Sequence, residues 1–434
     1  MIPTLIIVLI TFILVGVSTI FFPSIKIGKV KIGTYWVISL ISAIILLATS
    51  LSPINEVYNR LIDSKGINPL QILALFFSMT IISIYLDEIG LFKYLAIRAS
   101  QKAKNSQLSL FIIFYLLTSL LTVFTSNDIV ILTLTPFICF FAKNAKINPL
   151  PYLIGEFVAA NTWSMMFIIG NPTNIYLASS LNINFIDYFK VMIVPTIFAG
   201  LVEFIIIYLL FNKSLKAKIE VINEEYKIES KLDLAFGLSI LFICIVFLVI
   251  SNYINLEMTY IAVSSASLLI LIALIIRLST HKNWNYLTNS FKRLPYQLIP
   301  FFLSMFVIVV SLNYQGISGE IAKALNNEQV IWTYGYSSLL ASNLINNIPM
   351  SILFSNLPNS LPISLQLKAI YASVSGSNIG AFLTPIGALA GIMFSSLVNK
   401  YEVKFSFVDF VKYGVVIAIP TITAALAGLY IISL

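Results

Sequence analysis

The chain has 434 residues, 59% of them hydrophobic and only 10% charged, with a formal net charge of +8. Soluble domains carry roughly 25% charged residues, so this composition excludes one and indicates a multi-pass membrane protein whose solvent is the lipid bilayer. The excess of Lys and Arg fits the flanks of membrane spans and not a nucleic-acid surface. Cys139 and Cys244 each sit in an apolar run, so no disulfide framework is expected.

The first apolar run, 2–22, has no basic start and no small-residue cleavage site, and reads as a retained span. Further spans follow near 33–52, 67–87, 189–211, 233–251, 257–277, 297–314 and 411–432. Each can cross a hydrocarbon core that needs ~20 helical residues. Four regions depart from that template. Residues 107–142 are apolar but interrupted by Thr125-Ser126-Asn127-Asp128, and 330–358 by the run from Ser342 and Asn343 to Asn346, Asn347 and Pro349. Residues 150–182 and 364–398 are too long for one crossing. They are broken at Gly170-Asn171-Pro172-Thr173-Asn174 and at Gly376-Ser377-Asn378-Ile379-Gly380. Irregular backbone at membrane depth is tolerated only where it is buried in protein or lines a cavity.

With both termini outside, 21 of the 26 Lys and Arg residues fall in cytoplasmic segments, Arg277 among them. That count requires 107–142 to enter and leave on one face, as a re-entrant helical hairpin. Residues 330–358 form the matching hairpin from the other side. Each half then makes five crossings, an odd number, so the second half is inverted. Elements starting at 2, 33, 67 and 189 pair with 233, 257, 297 and 411, and every offset, tips and breaks included, lies between 206 and 231 residues. The expected fold is an all-α polytopic membrane protein, an inverted repeat of 1–211 and 233–434 joined by a polar cytoplasmic linker, 212–232. Such repeats enclose a transporter's binding site.

Helix ends inside a membrane leave unpaired N–H and C=O groups and a partial charge. Ser126, Asn127, Asp128, Asn346 and Asn347 at the tips, with Asn171, Thr173, Asn174, Ser377 and Asn378 at the breaks, are expected to enclose one substrate or ion site. Asparagines that only cap helix ends belong at surfaces. Asp128 is the sharpest single residue, because central acidic residues are costly and usually functional. It has no basic neighbour in sequence and is expected to carry a proton. Glu156 and Glu203 each read either as a second protonation site or as a buried polar contact. His281, the one histidine, reads as a loop residue beside Arg277, and Tyr35 and Trp36 as interfacial belt. No P-loop, no HExxH and no nucleophile–base pair is present, so the chain is not expected to be an enzyme or to need a cofactor or metal.

Asn127-Asp128 followed by Leu132-Thr133-Leu134-Thr135-Pro136 resembles the first hairpin of the arsenical-pump membrane proteins. Gly170-Asn171-Pro172-Thr173-Asn174 resembles the break shared with citrate-type permeases of the ion transporter superfamily, and Asn346-Asn347-Ile348-Pro349 their second hairpin. Gly376 to Gly380, with Leu383-Thr384-Pro385-Ile386-Gly387, resembles a further arsenical-pump segment. The resemblance implies an elevator-type antiporter in the plasma membrane. Arsenite, antimonite or a similar small anionic or neutral oxyanion would leave in exchange for H+. A homodimer and a separate ATPase subunit are the partners it allows. The alternative it carries is a citrate or dicarboxylate transporter coupled to Na+ or H+. Ser126-Asn127-Asp128, where the dicarboxylate branch has Ser-Asn-Thr, favours the proton.

Overall fold

The structure, a computed structural model, describes every residue except 23, 28–29, 63–67, 104, 219–225, 229, 281–283 and 434. His281 and the linker residues Glu220, Glu224 and Glu225 lie outside the described residues. Among the described residues, eight helices are long and apolar enough to cross a membrane.

Helix α1 (Ile2–Phe21) leads through an antiparallel pair, β1 (Ser24–Ile27) and β2 (Val30–Gly33), into α2 (Thr34–Ala48). The short α3 (Ile54–Ile62) precedes α4 (Pro69–Glu88), capped by the Asn68 side chain, and α5 (Leu91–Lys102). Next come α6 (Gln107–Phe124) and α7 (Asn127–Asn144), joined only by Thr125 and Ser126. The first broken crossing is α8 (Leu150–Trp163), two turns of 3-10 helix and α9 (Pro172–Ser179), and α10 (Phe185–Leu215) follows. The second half runs α11 (Lys231–Ile250), α12 (Met258–Thr280), α13 (Asn285–Arg293), α14 (Leu298–Tyr314) and α15 (Ile317–Leu325). It ends with α16 (Val330–Ile345), α17 (Asn347–Phe354), α18 (Ile363–Gly380), α19 (Leu389–Lys400) and α20 (Phe407–Ile432). The strand pair and the short helices α3, α5, α13 and α15 are not legible as spans, because none carries an apolar run of that length.

Hydrogen bonds sort the helix ends into two faces. At the terminal face the Met1 amino group donates to Gln315 Oε1 (2.8 Å), and Gln315 and Ser311 donate to the Leu51 carbonyl. At the opposite, linker face Ser106 bridges to Lys218, Gly33 N donates to Gln297 Oε1, and Lys143 pairs with Glu402. Thus α6 starts and α7 ends at the linker face. The base of the α16–α17 pair is at the terminal face, where Asn326 donates to the Leu357 carbonyl and to Ser360.

Two expectations need correction. The segment Gly376–Gly380 is not a break: it is the last helical part of α18, and the irregular stretch is 381–388. Glycine here serves close packing, because a Cβ at Gly376 would lie 2.0 Å from Ser338 Oγ and 2.4 Å from the Gly335 carbonyl of α16. Apolar burial drives no association between helices in lipid, so small residues that let backbones approach supply the contact. Arg277 is not a solvated loop cation: it is 1% exposed on α12, bound to Asp233 of α11 (2.5 Å), with Tyr85 of α4 donating to the same carboxylate oxygen. A charge inside a membrane protein needs a partner, and this cluster pins three helices together.

Candidate functional site

The first break meets the end of α18. Asn171 is extended (φ −152°) and Pro172 opens α9, so the helix restarts inside the protein. The Asn171 side-chain carbonyl caps it, accepting from Thr173 N and Thr173 Oγ1. Across the interface Ser377 Oγ donates to Thr173 Oγ1 (3.0 Å). Asn378 Oδ1 accepts from Asn171 Nδ2 (3.2 Å) and Ser164 Oγ (2.8 Å), and Asn378 Nδ2 donates to Asn174 Oδ1 (2.7 Å). Asn174 Nδ2 returns to the carbonyls of Ser164 and Phe167. All these side chains are at most 3% exposed. Asn171, Thr173, Asn174, Ser377 and Asn378 therefore come together as one saturated network linking residues some two hundred positions apart.

The tips lie elsewhere. Asn127 Nδ2 donates to Asn161 Oδ1 on α8 (3.1 Å), and the Ser126 hydroxyl is buried without a partner among the described residues. Asn346 holds φ +71°, a strained value for a non-glycine residue. Two contacts hold it there: its Oδ1 caps Ile348 N, and its Nδ2 reaches the Ile386 carbonyl in the second break. Asn347 N donates to the Gly387 carbonyl, and Asn343 bridges the Gly380 carbonyl and Thr384 Oγ1. Each tip thus docks on the break of its own half. The single enclosure expected for all ten residues resolves into three neighbouring places.

The third place belongs to Asp128. A cavity of about 600 Å³ opens at the linker face, walled by Ser24 and Lys31 of the strand pair, Leu132 of α7, Ser395 and Ser396 of α19, and Phe405 to Phe407. Through the shared walls Thr19, Ile392 and Met393 it adjoins a smaller chamber of about 120 Å³, lined by the half-buried Asp128 with Tyr35, Leu298 and Leu389. A narrow cleft sharing Thr19, Tyr35 and Leu389 continues to Asn343 and Asn346. The cavity and the chamber thus lead from the linker face to Asp128, and the second tip borders them, with walls from both halves. Among the described residues, Asp128 is the one charged residue lining the chamber, and Lys31 the one lining the mouth. Tyr35 lines this chamber, so it is not a membrane-interface anchor.

The other acids are placed apart from it. Glu156 is buried on α8, with Oε2 accepting from Thr135 Oγ1 of α7 (3.0 Å) and Oε1 without a partner among the described residues. Glu203 of α10 accepts from Tyr115 Oη (2.7 Å) and from Thr162 Oγ1, and both its oxygens are satisfied. The described residues hold no cluster of His, Cys, Asp and Glu suited to a metal.

The profile of the citrate transporter family matches residues 30–361, most of the chain. This chain belongs to the citrate transporter family. The arsenical pump membrane protein of Escherichia coli is 25% identical over 371 residues, covering 82% of this chain and 85% of that protein. A putative arsenical pump membrane protein of Bacillus subtilis is 23% identical, covering 81% and 85%. A 46 kDa membrane protein of Mycobacterium leprae is 25% identical, covering 83% and 85%. Among solved structures, MtrF of Neisseria gonorrhoeae, titled as illuminating a class of antimetabolite efflux pumps, matches with a TM-score of 0.49 and 15% identity, covering 99% of this chain and 94% of that one. The protein is thus a membrane transporter of the arsenical-pump and citrate transporter type.

In this transporter sequence reasoning passed over Asn161, Ser164 and Thr19, and read Tyr35 as a belt residue. Asn161 and Ser164 fall within ten residues of the Gly170 break, and an amide inside the apolar run was the available signal. Thr19 and Tyr35 carry none, because a lone threonine or tyrosine near the end of a span looks the same whether it faces lipid headgroups or a cavity.

Proposed function

We propose that this protein is a proton-coupled secondary carrier that expels a small, hydroxyl-rich oxyacid such as arsenite or antimonite. The observation that carries the reading is the route from the linker face to a lone carboxylate, Asp128, at the start of a helix between two hairpin tips. The arsenical-pump relatives supply the substrate class. Among the described residues that line the chamber there is no cation, so an anion would meet the Asp128 charge, whereas a neutral trihydroxide can donate hydrogen bonds to it. Protonation removes the charge and part of that acceptor capacity and adds a competing O–H donor, so proton and solute compete for one carboxylate. Binding linkage is reciprocal, and mutual exclusion at a site that opens alternately to each face is antiport.

The wider reading is an inverted repeat of 1–211 and 233–434 moving by an elevator mechanism in the plasma membrane, with the linker face cytoplasmic. The opposite entry faces of the two helix pairs and the matching order of α4, α6–α10 and α14, α16–α20 support it. The Asn171–Asn378 network would tie the two broken helices into one moving body. Glu156, its second oxygen unpaired among the described residues, is the candidate for a further proton site.

The test is arsenite efflux from sodium-free proteoliposomes, acid outside. Release should accelerate with proton entry, and Asp128→Asn should abolish the proton-driven part while leaving the folded protein in the membrane. Persistence of proton-driven release in that variant would sink the role of Asp128. The family profile favours one second reading, citrate or dicarboxylate transport. Sodium-dependent citrate uptake without arsenite release would select it.

A further inference from the structure

At the linker-face end of α4, Asp87 is almost buried, and its Oδ2 has two partners on different elements. Arg293 of α13 binds it through Nη2 (2.7 Å), and Thr133 Oγ1 of α7 donates to it (2.7 Å). Arg293 also spans to Glu88 through Nη1 (2.5 Å), so the guanidinium is held by both acids. Thr133 lies five residues beyond Asp128 on the same helix. It is thus a polar tie between the helix that bears Asp128 and the α4–α13 corner.

The opposite face offers the contrast. Asp87 is the second-to-last residue of α4, and the second-to-last residue of α14 is Asn313. Around Asn313 there is no such lock among the described residues but a cavity of about 410 Å³, lined by Arg60 of α3, Tyr176 of α9, Ser180 just beyond it and Ser355 beyond α17. Arg60 is held instead by Glu56 of its own helix. Two corners in corresponding positions are therefore built differently, one tied to its hairpin arm and one open beside it.

We propose that Asp87, held by Arg293, is a positioning residue: through Thr133 it latches α7 in the arrangement that opens Asp128 to the linker face. This rests on the alternating-access reading above. A hydrogen bond to a charged group is among the stronger ones. Its loss from one of two balanced states shifts their ratio by about tenfold.

The test uses the full chain in proteoliposomes, with Cys139 and Cys244 replaced by alanine and one reporter cysteine at a time. Ser395→Cys lines the linker-face cavity, and Ser355→Cys, now 1% exposed, lines the opposite one. A membrane-impermeant maleimide reads each rate. Thr133→Val should slow labelling at 395 and speed it at 355, changing their ratio about tenfold, and Thr133→Ser should restore the starting ratio. Asp87→Asn should move the ratio the same way. A Thr133→Val ratio equal to that of the unsubstituted reporter chain, with the protein still folded by thermal melt, overturns the latch. If an imposed pH gradient moves neither reporter in the unsubstituted background, the alternating-access reading itself falls.

Discussion

Asparagine is the working residue of this transporter's interior because it offers two donors and an acceptor without the cost of a full charge in lipid. Asn171 and Asn346 do cap helices, as asparagine commonly does, but both are buried, where a cap also fixes the position of a tip or break. Asn378 is the most heavily used: its two amide ends engage Ser164, Asn171, Asn174 and the Val374 carbonyl. Asn378→Ala leaves several buried groups unpaired at once, and each orphaned polar group costs ~1–3 kcal/mol. The expected outcome is a loss of about 3 kcal/mol, read as a clear drop in melting temperature in detergent and as poor recovery of the folded protein. Ser377→Ala removes only a donor to Thr173 and should cost much less. At this scale the sequence picked out polar residues that the structure buries and mostly hydrogen-bonds, and it was a poor guide to their grouping. Ten polar residues could be picked out because each interrupts an apolar run, but nothing local says which of two tips an asparagine at a break will face.

At the scale of elements, the apolar runs and the polar interruptions mapped onto real helices and real ends. The runs near 67–87 and 233–251 became α4 and α11 nearly residue for residue. The misplaced break at 376–380 shows the limit of the method. Glycine is an ambiguous signal, marking either a chain that must turn or two helices that must touch. Here Gly376 serves contact, and α16 and α18 pack along it. Gly376→Ala should force the two helices apart and destabilise the protein by about 1–3 kcal/mol, the usual range for overpacking. Gly319→Ala on α15, where a Cβ meets nothing within 4 Å, should be neutral or slightly stabilising through helix propensity. Comparing the melting temperatures of the two variants checks the packing argument, and equal values would refute it. The β1–β2 pair at the cavity mouth was invisible at this scale because four-residue strands leave too short a pattern to read.

For the whole molecule, the basic residues predict orientation. Lys143, Lys213, Lys216, Lys400 and Lys404 gather at the linker face, which the positive-inside rule places in the cytoplasm. An epitope inserted at 219–225 should be reached by antibody only after cells are permeabilised, whereas one after Leu434 should be reached on intact cells. The reverse pattern would invert every statement about which compartment the route to Asp128 serves. Composition and run length were enough to establish a polytopic membrane protein, the rough extent of its apolar helices and many of the polar residues of its interior, because the bilayer penalises each exposed polar group wherever it falls and so writes the constraint into the local sequence. Which of those residues meet was a matter for the folded chain alone. The Asn171–Asn378 contact, the Arg277–Asp233 pair, the docking of each tip on the break of its own half and the opening of Asp128 toward one face all join residues dozens to hundreds of positions apart. Helix packing sets such contacts, and no window of sequence contains both partners.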